Sequence, residues 1–93
     1  MRLNIRSMDD RDLEKYLRDA LKRLGVKIRT EQLEDGSGGF CRLDTEPLIV
    51  IPPSLERSKR IEIFLGALRK MDTSGIFLPP FIREQLEDET DDI

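Results

Sequence analysis

Ninety-three residues make one domain, near the lower limit for a core that supports itself. Charged residues are 38% of the chain and the formal net charge is −3, a mixed surface unlike that of a dedicated nucleic-acid binder. One cysteine and no histidine exclude a disulfide framework, HExxH zinc sites and Ser-His or Cys-His nucleophile pairs.

The first element is expected just after Ser7. Leu13, Tyr16, Leu17, Ala20, Leu21 and Leu24 draw one apolar stripe along a 3.6-residue helix. Ser7 or Asp9 can cap it, acids in its first turn and Lys22 and Arg23 at its end suit the helix dipole, and Gly25 supplies the stop.

VKIRTEQL (26–33) and GFCRLDTE (39–46) follow, separated by DGSG. Two alternating segments around a glycine-rich turn predict a hairpin. After Pro47, the apolar run LIVI (48–51) is expected to be the most buried strand, ended by Pro52 and Pro53.

Ser54 is placed to cap a second helix with Ile61, Phe64, Leu65, Leu68 and Met71 inward and Arg57, Lys59, Arg60, Arg69 and Lys70 outward. Thr73-Ser74-Gly75 closes it, IFLPP reads as an extended connector, and Pro80 suits the first position of a last helix, FIREQLED. The expected fold is α+β, in the order α-β-β-β-α-α, with helices on a small three-stranded antiparallel sheet.

Charge divides the chain into a domain over 1–86 and a tail over 87–93. The tail, EDETDDI, holds five carboxylates and no base, leaving 16 basic and 14 acidic residues in the body. It is expected to be disordered and solubilising. No apolar run approaches a membrane span of about 18–20 residues, and MRLNIRSMDD lacks the apolar stretch of a signal peptide. The expectation is a cytoplasmic protein with no membrane role.

Candidate chemistry is sparse. Cys41 has Arg42 beside it to favour a thiolate, but alternation with Leu43 predicts an inward, inert thiol. DGSGG lacks the Gly-Lys-Ser/Thr ending of a P-loop, so its glycines read as turn residues. Asp44, Glu46, Glu56 and Glu62 could flank a cleft, yet with 19 acids against 16 bases they read as surface carboxylates. No catalytic residue, cofactor or metal ligand is expected, and the protein is read as a non-enzyme.

Two binding surfaces are left. Ile76, Phe77, Leu78 and Phe81 in GIFLPPF are large apolar side chains that prolines keep out of a long helix. They form either a lid over the small core or a contact for a protein partner or a second copy of the chain, and so a candidate interface of a homodimer. Arg57, Lys59 and Arg60, with Arg11, Lys15, Arg18, Lys22 and Arg23 on the first helix, form a candidate basic patch; Asp12, Glu14, Asp19, Glu56 and Glu62 interrupt it. The leading reading is a protein-interaction or accessory domain. The alternative is a nucleic-acid- or ribosome-associated protein using the basic helix faces.

The middle of the chain resembles a minimal zincin of the ImmA/IrrE type in GGFCRL, PLIVIPPSLERSKR and IEIFLGALRKM. The resemblance implies that a strand, a proline-containing turn and an Arg-led helix here correspond to the family's HExxH-bearing unit. It places Ala67, Leu68 and Met71 where the two histidines and the glutamate would lie, so it implies a zincin-like fold without its ligands. LPPFIREQLE, with GGFCRL upstream, also resembles a set of small bacterial proteins with no established activity.

Overall fold

The computed structural model describes residues 9–33 and 38–90. Along them run α1 (Asp10–Arg23), β1 (Lys27–Thr30), β2 (Gly39–Leu43), β3 (Glu46–Ile51), α2 (Arg57–Arg69) and α3 (Pro80–Thr90). This is the α+β order expected from the sequence.

The α1 stripe forms as its spacing requires. Leu13, Leu17, Ala20 and Leu21 are buried, and Asp9 caps the helix by accepting a hydrogen bond from the Asp12 amide at 3.0 Å. Ser7, the other expected cap, lies outside the described residues. Beyond the C-cap Leu24, Gly25 takes φ +89°, where a side chain would be strained.

The sheet differs from expectation in its pairing. Its order is β1-β3-β2, with β1 parallel and β2 antiparallel to β3, so the sheet is mixed. The glycine-rich segment joins two strands that do not pair; the hairpin is the next one along, between β2 and β3. LIVI outcompetes GFCRL as the neighbour of β1 because only an apolar strand can occupy the middle of the sheet. Ile49 and Ile51 lie on the helix-covered face, with Ile28 and Phe40 on either side of Ile49 in register.

The hairpin turn is carried by Asp44 and Thr45, at φ +55° and +70°. Positive φ at both central positions belongs to a type I′ turn. Glycine or asparagine is the residue such a turn favours, and threonine is not. Thr45→Gly should therefore raise stability by about 1 kcal/mol, read as an increase in the urea midpoint; no increase would mean that the Thr45 side chain offsets its backbone strain. Gly38, at φ +73°, marks the opposite constraint: an added Cβ would lie 2.5 Å from the Val50 carbonyl oxygen and 2.8 Å from Pro52 Cδ.

α1 and α2 cross the inner face of the sheet, enclosing Leu17, Leu21, Ile49, Phe64 and Leu68, all at most 1% exposed. α2 starts later than Ser54 suggests. Its N-cap is Glu56, whose side chain makes no capping hydrogen bond. Pro80 occupies the first position of α3, as expected, and Ile82 beneath it is fully buried. Arg69, read as an outward residue, is partly buried and donates from Nε to the Leu86 carbonyl at 3.0 Å, tying α3 to α2. Residues 87–90 of the acidic segment continue α3, while 91–93 lie outside the described residues.

Candidate functional site

Glu14, read as part of the α1 exterior, is instead the one buried acid among the described residues, at 6% exposure. It lies at the margin of the Leu13-Leu17-Leu21 stripe, where α1 meets the start of α2. Arg18, one turn along α1, donates from Nε and Nη2 to Glu14 Oε2 at 3.2 and 3.0 Å. Arg57 donates from Nε to Oε1 at 3.0 Å. Arg60 straddles the carboxylate, giving Nε to Oε2 at 2.8 Å and Nη2 to Oε1 at 3.0 Å. A further bond from Arg60 Nη1 to the Leu55 carbonyl, at 2.6 Å, fixes the guanidinium from behind.

Five charge-assisted bonds occupy both oxygens of one carboxylate. The Arg60 bonds, then those of Arg57 and Arg18, hold the Glu14 pKa at about 2 from an ordinary 4.5, against the opposing effect of burial. Arg60 is shifted upward by the same carboxylate. Arg18 also lies over the Phe64 ring, 5.1 Å from its centroid, which restricts its motion and adds a cation–π contact.

Of the expected basic patch, Arg57 and Arg60 are thus gathered on Glu14, and Lys59 points to solvent without an ion pair among the described residues. Sequence spacing signals part of this arrangement. Glu14 and Arg18 are four apart on one helix, and Arg57 and Arg60 are three apart on another.

The GIFLPPF segment divides. An extended chain turns alternate side chains opposite ways: Leu78 is buried, Ile76 and Phe81 are partly buried against the core, and Phe77 is 72% exposed. The Tyr16 hydroxyl donates to the Phe77 carbonyl at 3.3 Å, anchoring the connector to α1. Beside Phe77 is a small hollow of about 60 Å³ lined by Tyr16, Asp19, Ala20 and Arg23. The connector also borders a groove of about 390 Å³ against α3, with Ile76, Leu78 and Leu86 among its apolar walls and Arg83 beside them.

Cys41 contradicts its expected position. It and Leu43 face solvent on the sheet surface away from the helices. A central β3 leaves β2 at an edge, with its outward face uncovered by either helix. Arg42 lies over the Phe40 ring at 5.7 Å. Asp44, Glu46, Glu56 and Glu62 are all exposed, and no cluster of three potential metal-ligating His, Cys, Asp or Glu side chains occurs among the described residues. Ala67 and Leu68 are buried, and Met71 is partly buried against the same core. No helix of the described residues is long and apolar enough to cross a membrane. Compared with protein-family models, curated proteins and solved structures, the chain matches none.

Proposed function

We propose that this chain is a non-enzymatic cytoplasmic interaction domain that associates with a second copy of itself through the connector at 75–81. The observation that carries this reading is Phe77, a large apolar side chain at 72% exposure on a backbone tied to Tyr16. Holding an aromatic ring outward on an anchored segment reduces the ordering cost of a contact, which suits an interface anchor. The hollow next to the ring favours a second copy as partner. A projection beside a depression is self-complementary about a two-fold axis, each Phe77 entering the depression of the other protomer.

The nucleic-acid alternative is less well supported. Arg57 and Arg60 converge on one carboxylate, and the exposed Arg11, Lys15, Lys22, Arg23 and Lys59 are interspersed with the exposed acids Asp12, Asp19, Glu56 and Glu62, which does not favour a continuous track for a phosphate backbone.

Sedimentation over a range of concentrations tests the proposal. The wild-type chain should show a monomer–dimer equilibrium, and Phe77→Asp should be monomeric with stability unchanged within about 0.5 kcal/mol, as for an exposed position. A wild-type chain that remains monomeric at every concentration, or a Phe77→Asp chain that still dimerises, would rule out this interface.

A further inference from the structure

We propose that the arginines around Glu14 form a binding site for a phosphate-class oxyanion carrying two negative charges. Arg18, Arg57 and Arg60 bring three positive charges to one carboxylate, a local surplus of +2. The other acids near them in the chain, Asp10, Asp12, Asp19, Glu56 and Glu62, make no ion pair with any of the three. A surplus held this closely is matched by a dianion.

Glu14 organises the donors without exhausting them. Arg57 Nη1 and Nη2 and Arg18 Nη1 make no hydrogen bond among the described residues. Among the described residues no half-buried or buried side chain leaves a buried nitrogen without a partner, so Nη1 of the half-buried Arg18 is open to solvent. The Arg57 side chain is 45% exposed and that of Arg18 33%, so both guanidiniums that hold the carboxylate also reach the surface. The Phe64 ring under Arg18 and the Leu55 carbonyl behind Arg60 hold the group in place before any ligand arrives.

The start of α2 gives independent support. Its first turn holds Arg57, Lys59 and Arg60 and no acid, and the carboxylate of its N-cap residue, Glu56, makes no capping hydrogen bond. Cations at a helix N-terminus oppose the macrodipole, and that position ordinarily favours an acid or a bound anion. Glu14 compensates in part; a tetrahedral oxyanion accepting from Arg57 and Arg18 would complete the compensation, through the forked geometry that guanidinium offers phosphate.

Inorganic phosphate is the probe, titrated at constant ionic strength against chloride while the arginine Nε–H resonances are followed by NMR. Saturable shifts at Arg57 and Arg18 are expected. Arg57→Gln should weaken the affinity about tenfold, the loss of a charge-assisted contact. It should still fold, since Glu14 keeps Arg18 and Arg60. Lys59→Gln removes the same charge one turn-position away and should change affinity less than about twofold. Equal weakening by both variants, or shifts reproduced by chloride alone, would overturn the site. A single-stranded oligonucleotide separates the sources of phosphate: binding by the oligonucleotide with none by inorganic phosphate would also overturn it, in favour of backbone contact.

Discussion

Glu14→Ala should lower stability at neutral pH by about 3 kcal/mol, the lower end of the cost of removing one partner from a buried ionic group. The lower end applies because the arginines left behind, 20% to 45% exposed, can regain water. Urea unfolding measures the loss, and a change below about 1 kcal/mol would show that the cluster contributes little to the fold.

Acid should act on the same group. The folded-state pKa of Glu14 is about 2 against an ordinary 4.5, so the unfolded chain takes up its proton first as pH falls. The stability from this carboxylate is complete above about pH 4.5 and is lost as pH drops from there towards 2, up to about 3 kcal/mol in all. Glu14→Gln should therefore flatten the acid limb of the stability profile in that window. Some slope will remain, because Asp72 is also lowered, chiefly by the Ser74 amide and then by its hydroxyl. A variant profile as steep as the parent's would assign acid sensitivity to other carboxylates.

Phe64→Ala should cost about 3–5 kcal/mol, most of the roughly 5–10 kcal/mol that a domain of this size has in total. Phe64 is fully buried at the junction of α1, α2 and the sheet. With few residues to close in around the missing ring, the cavity would persist. Arg18 would also lose the surface 5.1 Å beneath its guanidinium, linking the core to the ionic cluster. Thermal unfolding should begin more than about 12 °C lower; a midpoint within a few degrees of the parent would move the centre of stability away from this junction. Phe64→Leu, which leaves a smaller void than alanine, should cost less, about 1–2 kcal/mol.

The helices were legible where one face carries the whole signal. The 13-16-17-20-21-24 stripe and Pro80 specify their elements locally, and LIVI announces a buried strand. Strand order was not legible, because the usual hairpin cue sits in the wrong loop: the glycines join strands that do not pair, while the true turn uses Asp44 and Thr45 at positive φ. The outward position of Cys41 follows from that order and was lost with it. Glu14 was missed because its burial depends on arginines 43 and 46 residues away. Within α1 alone it is one more polar residue beside the stripe; only the docking of α2 makes it an interior acid. Phe77 was singled out together with Ile76, Leu78 and Phe81, but which of the four turns outward is decided by the tertiary anchor from Tyr16.

The central position of β3 has a consequence for how the chain comes into being. A nascent polypeptide that has emerged only as far as the Asp44-Thr45 turn holds both outer strands, and neither has a neighbour to bond. Every rung of the ladder waits for the final strand, which must slot between two segments already made. The β2–β3 hairpin, closed by a two-residue turn, is the short-range step, and the parallel pairing of β1, which lies about 20 residues upstream in the chain, can follow only once β3 is in place.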